Sequence, residues 1–171
     1  MTIKPEIGSM INDQINMELY SANVYLTMAS YFINQELNGF GNFFLVQMQE
    51  EQFHAMKYFK FLHDVEGKFN LQSIAAPNQA YKNYKHVFEL ALENERKVTE
   101  STNNLIDASL ANKDFGTYTF LEWFIKEQVE EEALMRNLLS KLELIGNDKS
   151  ALFILDAELA KRSFSAPADE A

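Results

Sequence analysis

The sequence predicts an all-α fold: a bundle of four long helices with one long crossover connection and a short fifth helix at the C-terminal end. Apolar residues recur every three to four positions along four stretches, each of roughly 27 to 32 residues. Short polar breaks join the first stretch to the second and the third to the fourth, which is typical of antiparallel helical hairpins. A longer aperiodic segment separates the two pairs and is long enough to return along the bundle.

The first hairpin begins near the N-terminus. Pro5 suits a first helical turn, and the first helix is predicted over residues 5–34. Asn38 and Gly39 then break the chain. The second helix is predicted over residues 40–67, where Gly67 is a residue type favoured just beyond a helix end.

The second half repeats this arrangement after the crossover, which is predicted over residues 68–83 and contains Pro77. The remaining helices are predicted over residues 84–112, 115–145 and 149–161. We assign residues 1–164 to one domain and expect residues 165–171 to form a disordered tail.

Each long helix has a glutamate near the middle of its apolar stripe. In the first helix the stripe contains Ile11, Gln14, Glu18, Ser21, Tyr25, Met28 and Phe32. The stripes of the other three helices contain Glu51, Glu95 and Glu131, and the fourth continues through Leu134 and Leu138. His54 lies one turn after Glu51 on nearly the same face. We therefore expect four carboxylates and one imidazole in a single layer across the bundle.

Four buried, unpaired carboxylates would each destabilise the fold by several kcal/mol or would take up protons. Two divalent cations cancel four negative charges, and oxygen ligands with one imidazole favour iron or manganese over copper or structural zinc. A single glutamate within a helix is usually a surface residue, and a single histidine on an apolar face usually belongs to the core. Because such residues occur in register on four helices, the pattern favours a metal site. His63 and His86 have no glutamates in register with them and are interpreted as structural.

Bulk composition restricts the function further. The net charge is −10, from 25 acidic and 15 basic residues, so the surface repels nucleic acid, although a merely soluble acidic protein has the same property. The absence of cysteine excludes disulfides, thiolate zinc sites and iron–sulfur ligation. No signal peptide or membrane span is apparent, so we expect a cytoplasmic protein without a membrane or nucleic-acid partner.

The chain resembles the non-haem bacterial ferritins through about residue 164. The stretches that carry the resemblance are residues 16–21 (NMELYS), 49–54 (QEEQFH), 93–95 (ENE) and 122–132 (EWFIKEQVEEE). The resemblance implies a ferritin-like bundle and a homo-oligomeric, hollow 24-subunit cage. It also implies that ferrous iron is oxidised by dioxygen or peroxide at a dinuclear centre within each subunit and is stored as a ferric mineral.

By the same resemblance, the first iron is held by Glu18, Glu51 and His54. The second is held by Glu51, Glu95 and Glu131, with Glu51 bridging the two.

Other positions match family residues near this pair. Gln128 matches an amide that orients bound oxygen or water, and Trp123 matches a nearby aromatic residue. Tyr25 matches the tyrosine close to the irons, and a buried aromatic residue, a hydrogen-bond partner and an electron donor all remain open for it. A third iron site would use Glu50, Glu127 and Glu130 with Glu131 shared; the alternative for the first three is a solvated acidic face.

Two departures from related patterns are informative. Symmetric di-iron bundles have Glu-x-x-His on two helices, but this chain has Leu134 three residues after Glu131. The second iron thus has only carboxylates, and we expect it to be held more weakly and to move on to the cavity. Gln52 stands where the haem-binding bacterioferritins have methionine, so no haem is expected.

Three rival interpretations remain. A di-iron peroxidase of the rubrerythrin kind usually has a cysteine-rich domain, which this sequence lacks. A DNA-protecting miniferritin of the Dps type places its irons between subunits and often has a basic tail, whereas this tail contains Asp169 and Glu170. A purely structural bundle would have a stable, metal-free core.

Overall fold

The computed structural model describes residues 2–166 of the chain. This part contains five α-helices and no strand: α1 (Pro5–Ile33), α2 (Asn38–Asp64), α3 (Tyr84–Ala111), α4 (Phe115–Ile145) and α5 (Lys149–Leu159). The predicted fold class, helix order and long crossover are confirmed, with boundaries that differ by about three residues or fewer. Of the predicted tail, residues 165 and 166 are described, and residues 167–171 lie outside the described residues.

The end of α2 differs from the prediction in one detail. The helix ends at Asp64, and Glu66 rather than Gly67 adopts the left-handed conformation, with φ of 60°. The N–H of Gly67 donates to the carbonyl of Leu62 at 2.7 Å. A Cβ at Gly67 would lie 2.2 Å from Leu62 Cδ1, so glycine is required here for close approach.

Side chains fix the starts of the later helices. Asn83, Asp114 and Asp148 each accept a hydrogen bond from a backbone N–H in the first turn of α3, α4 and α5, respectively. Such a cap stabilises a helix by about 1 kcal/mol. The short connections after α3 and α4 therefore end where a capping residue occurs.

Two apolar clusters fill the ends of the bundle and leave a polar layer between them. One cluster is rich in phenylalanine, with Phe32, Phe44 and Phe88 stacked or tilted on one another. The other contains Ile11 and Phe124. The predicted pattern of apolar ends and a polar centre is thus observed, with one correction.

The correction concerns the stripe of α4. Met135 is fully buried and Leu134 only half-buried, so the stripe continues four residues after Glu131 rather than three. With 3.6 residues per turn, either step is compatible with one face, and packing against the neighbouring helices decides between them.

The crossover is fastened to α1 by two asparagines. Asn12 Nδ2 donates to the carbonyl of Asn70 at 3.1 Å, and Asn12 Oδ1 accepts from Asn70 N–H at 2.6 Å. Asn16 Oδ1 accepts from Gln72 N–H at 2.9 Å. These bonds satisfy the backbone of a segment that has no secondary structure of its own.

Helix α5 docks against the start of α2, where Gly39 permits very close contact. Asp156 Oδ1 accepts from Phe40 N–H at 2.9 Å, and a Cβ at Gly39 would lie 1.7 Å from the Asp156 carbonyl oxygen. We expect Gly39→Ala to destabilise the protein by about 1–3 kcal/mol because α5 must move away. Thermal melting measures the loss.

Gly8→Ala is the matched control, since Gly8 is also helical but its added Cβ would meet Ile3 Cγ2 only at 3.4 Å. We expect this control to be neutral or stabilising by about 0.5–1 kcal/mol. An unchanged melting temperature for Gly39→Ala would contradict the close docking of α5.

Within residues 2–166, no helix is both long enough and apolar enough to cross a membrane.

Candidate metal centre

The central turns of α1 to α4 bring five of the predicted ligand residues into the bundle interior. Glu18 and Glu95 are fully buried, and Glu51, His54 and Glu131 are at most 6% exposed. The two apolar clusters lie on either side, so these groups are separated from bulk water along the bundle axis. Charged side chains in such surroundings need partners of opposite charge or must be neutral.

The first half of the site joins α1 and α2. Glu18, Glu51 and His54 each offer a ligand atom within 4.8 Å of the others. Among the described residues, no side chain or backbone group donates a hydrogen bond to the buried Glu18 Oε2 and Glu51 Oε2 when both groups are carboxylates, and His54 Nδ1 lies 3.7 Å from Glu51 Oε2. Buried carboxylate oxygens almost always have a partner, which a cation would supply here and which a shared proton supplies in the metal-free protein.

The second half joins α3 and α4. Tyr25 donates a hydrogen bond from its hydroxyl to Glu95 Oε1, and Gln128 Nε2 donates to Glu95 Oε2 at 3.2 Å. Gln47 Nε2 donates to Glu131 Oε2 at 2.8 Å. Among the three possibilities for Tyr25, the structure thus places its hydroxyl on a candidate ligand. The amide of Gln128 also lies on that ligand.

The pKa values of these groups are shifted by burial and by one another. Burial first, and then the charge of Glu51, raise the pKa of Glu18 well above its usual value. Burial and the charge of Glu95 likewise raise the pKa of Glu51. Burial and the charge of Glu131 raise the pKa of Glu95 to about 8. Without a metal, protons therefore neutralise part of the site near neutral pH, and a bound cation would displace them.

Two glutamines that the sequence reasoning did not assign hold the outer ligands. Gln14 Nε2 donates to Glu18 Oε1 at 2.8 Å, while Gln14 Oε1 accepts from Ser101 Oγ at 2.5 Å. Gln47, which holds Glu131, accepts at its own oxygen from Arg162. Both glutamines precede a ligand glutamate by four residues, a spacing that was visible in the sequence.

The three residues predicted for a third metal ion lie beside this centre and are less buried. Glu50 and Glu127 are half-buried, and Glu130 is exposed. Burial raises the pKa of Glu50 to about 7 although Arg162 acts against it, and Glu50 Oε2 lies 2.7 Å from Arg162 Nη2. Burial is also the main cause of the raised pKa of Glu127, to which Glu130 adds. The structure thus pairs Glu50 with a cation from its own chain.

Aromatic rings enclose the histidine of the site. The His54 ring lies 5.5 Å from that of Trp123 and 5.8 Å from that of Phe124, both edge-on. Phe53 contacts Trp123 on the outer side. These rings fix the orientation of the imidazole and restrict access by water from that direction.

The ferritin-like domain family matches residues 9–145 of the chain. A bacterial non-heme ferritin of Campylobacter jejuni is 38% identical over 154 residues, which are 90% of this chain and 92% of the relative. A bacterial non-heme ferritin of Staphylococcus aureus is 36% identical over 154 residues, 90% of this chain and 93% of the relative. An open-pore ferritin from the archaeon Archaeoglobus fulgidus superimposes with a TM-score of 0.92 at 43% identity, covering 94% of this chain and 98% of that structure. A closed form of the same organism's ferritin, made by mutagenesis, superimposes with a TM-score of 0.94 at 43% identity, covering 96% of this chain and 100% of that structure. Similarity to ferritins in both sequence and fold extends over nearly the whole chain, and the chain therefore belongs to the ferritin family.

Proposed function

We propose that the protein oxidises ferrous iron and stores the product as a ferric mineral. The observation that carries this proposal is the buried group of Glu18, Glu51 and His54, two of whose carboxylate oxygens have no hydrogen-bond partner within residues 2–166. Iron is the substrate in this reaction and not a resident cofactor. The similarity of the chain to ferritins supports iron oxidation and storage as well.

In the proposed centre, Glu18, His54 and one oxygen of Glu51 bind the first ferrous ion. Glu95, Glu131 and the other oxygen of Glu51 bind the second. Iron binding releases the protons that neutralise part of the site in the metal-free protein. Two ferrous ions then give one electron each to dioxygen, which takes up two protons and becomes hydrogen peroxide. Peroxide in turn accepts two electrons from a second ferrous pair together with two protons, which gives two water molecules and two ferric ions.

The side chains around the ligands have positioning roles in this proposal. Gln14 and Gln47 hold the outer carboxylates through their amide groups. Tyr25 and Gln128 both donate to Glu95, which orients that carboxylate toward Glu51. Preorganised ligands require little rearrangement when both ions arrive. We also expect the amide of Gln128 to orient dioxygen, peroxide or water.

Stopped-flow absorbance between about 300 and 600 nm tests the activity. The assembled protein is loaded with two ferrous ions per chain without oxygen and is then mixed with air-saturated or peroxide-containing buffer. We expect a fast transient followed by a stable ferric band, and the ratio of the two rates identifies the preferred oxidant. Oxidation no faster than in a protein-free control would contradict the proposal.

The two iron positions are expected to differ in affinity. The first has an imidazole ligand, whereas the second has only carboxylates because Leu134 stands where a second histidine would lie. Anaerobic titration with ferrous iron should resolve a tighter and a weaker site. His54→Ala should weaken the tighter site by about 100-fold or more and leave the other nearly unchanged, because loss of a residue that merely orients a ligand already costs about 10- to 100-fold.

His63→Ala is the matched control, since His63 is the other histidine of α2 and lies about two and a half turns further along the helix. We expect both affinities to remain at their wild-type values in this variant. Two equal sites in the wild-type protein would contradict the predicted asymmetry.

We further propose a third, transient iron position formed by Glu50, Glu127 and Glu130 with Glu131 shared. Its support is the closeness of these charges: Glu131 acts on the pKa of Glu50, and Glu130 and Glu131 act on that of Glu127. Partial exposure suits a position through which iron leaves the centre.

We also propose that the chain assembles into a multi-subunit cage of 24 copies. Large apolar side chains at the C-terminal end of the bundle are strongly exposed in the single chain, among them Leu144 at 89% and Ile154 at 71%. Similarity to the ferritin structures of Archaeoglobus fulgidus supports assembly into a cage. Mass measurement under native conditions tests the number of copies.

A further inference from the structure

The segment that follows α5, residues 160–164, lies back along α2 and reaches the metal centre. Asn42 Nδ2 donates to the carbonyl of Leu159 at 3.1 Å and to that of Arg162 at 2.9 Å. Further along α2, the ring of Phe164 lies 5.8 Å from the ring of Phe53. These contacts hold the backbone of Arg162 beside the outer edge of the carboxylate layer.

The side chain of Arg162 is held from three sides. Its Nη2 lies 2.7 Å from Glu50 Oε2, and its Nη1 donates to Gln47 Oε1. The guanidinium carbon lies 4.7 Å from the centre of the Phe43 ring. Both Arg162 and Glu50 are about one-fifth exposed, at 23% and 21%. The planar guanidinium group has several donors in a fixed arrangement and can contact Glu50 and Gln47 together. The single ammonium group of a lysine does not reproduce this pair of contacts.

The contact with Gln47 links Arg162 to a candidate iron ligand. Gln47 accepts from Arg162 at its oxygen and donates from its amide nitrogen to Glu131 at 2.8 Å. At the opposite end of the site, Gln14 accepts from the neutral hydroxyl of Ser101 and donates to Glu18. The two ends are built alike, but in the part of the chain that the structure describes only the glutamine at the Glu131 end contacts a cation.

We propose that Arg162 is a positioning residue that occupies Glu50 in place of a third metal ion, and that an ion arriving at Glu50 displaces it. The inference rests on the proposed function, since it concerns the third iron position described there. A divalent ion and a guanidinium cannot both lie against Glu50 Oε2 without strong repulsion. Arg162 therefore weakens the third position, so that iron passes through it and does not remain.

Anaerobic calorimetry of the assembled protein with Co²⁺ measures this competition. In Arg162→Gln we expect the third Co²⁺ to bind about tenfold more tightly, which is the size expected when one charged hydrogen-bonded pair is removed. The ion beside Glu18 and His54 should bind as in the wild type, because Arg162 reaches the centre through Gln47 and Glu131. If the wild type binds only two Co²⁺ ions in the accessible concentration range, the variant should bind a third ion in that range.

Arg136→Gln is the matched control, because Arg136 also pairs with a glutamate, Glu132, at 3.0 Å, and neither residue is assigned to a metal position. We expect this control to leave all Co²⁺ affinities unchanged. Glu50→Gln should remove the third ion, and adding Arg162→Gln to it should restore nothing.

An unchanged or weaker third site in Arg162→Gln would overturn the inference, as would a gain that persists without Glu50. Arg162→Lys is the second variant, and it tests whether Arg162 weakens binding of the third ion if Arg162→Gln does not assemble. Lysine keeps a charge near Glu50 but does not bridge to Gln47, so the affinity for the third ion should lie between wild type and Arg162→Gln. Failure of the wild type to bind any core ion would refute the proposed function itself, whereas two core ions with an unresponsive third refute only the role of Arg162.

Discussion

Glu51→Ala is expected to abolish rapid iron oxidation while the protein still folds and assembles. Glu51 is the one residue assigned to both irons, and its side chain is 1% exposed between Glu18, His54 and the pair on α3 and α4. Without it, each ion keeps only two protein ligands, and nothing bridges them. We expect the initial rate to fall by about two orders of magnitude or more, because loss of a group that merely orients a ligand already costs 10- to 100-fold.

The fold should tolerate this change because it removes a buried carboxylate whose Oε2 atom has no hydrogen-bond partner among the described residues. Glu100→Ala is the matched control: Glu100 is an exposed helical glutamate of α3, and its loss should leave the rate unchanged. Stopped-flow absorbance measures the rates, and native mass measurement checks assembly. An assembled Glu51→Ala variant that oxidises iron at the wild-type rate would refute the assignment of the bridging ligand.

The metal-free protein is expected to lose stability as the pH rises from about 5 to 8. Burial and the charge of Glu131 raise the pKa of Glu95 to about 8 in the folded chain, above the value of about 4.5 that it has when unfolded. The folded state therefore holds more protons than the unfolded state in this range, and the free energy of unfolding falls with rising pH. The contribution is present in full below pH 4.5 and is lost as the pH passes 8.

The total loss is on the order of a few kcal/mol, or a fall in melting temperature of about 10 °C, because Glu18 and Glu51 act in the same direction. A divalent ion replaces the protons, so the loaded protein should show little decrease or the opposite trend. Melting curves with and without Co²⁺, recorded across the pH range, measure both slopes.

Glu95→Gln separates the buried carboxylates from the general repulsion of a chain with net charge −10. Glutamine keeps nearly the shape of Glu95 but cannot ionise, so the metal-free variant should melt higher at pH 8 and depend less on pH. A metal-free wild type whose stability rises between pH 5 and 8 would contradict the burial of these groups.

Helical periodicity was sufficient to predict the architecture because most of the stabilising contacts follow from one face of each helix. The four long helices and the central position of Glu18, Glu51, Glu95 and Glu131 both have that origin. Periodicity could not decide whether Leu134 or Met135 is the buried residue after Glu131, since steps of three and four residues both lie within the width of an apolar stripe. It also gave no reason for Glu66 to adopt the left-handed conformation.

The contacts of Arg162 were beyond prediction for a different reason. Gln47 and Arg162 are separated by 115 positions, and the segment that carries the arginine has no regular structure. Its course along α2 depends on the docking of α5, which in turn depends on Asp156 and the free space at Gly39. Contacts that arise from tertiary docking leave no periodic signal in the sequence.

Diffraction at the iron absorption edge shows whether iron binds at the buried carboxylates of the bundle. Crystals of the assembled protein are soaked without oxygen in two ferrous ions per chain, and anomalous difference maps locate the metal. We predict two peaks about 3.5–4 Å apart inside each subunit, one beside Glu18 and His54 and the other beside Glu95 and Glu131, with Glu51 between them. A single peak, or iron found only on the surface while the buried carboxylates remain unligated, would contradict the account.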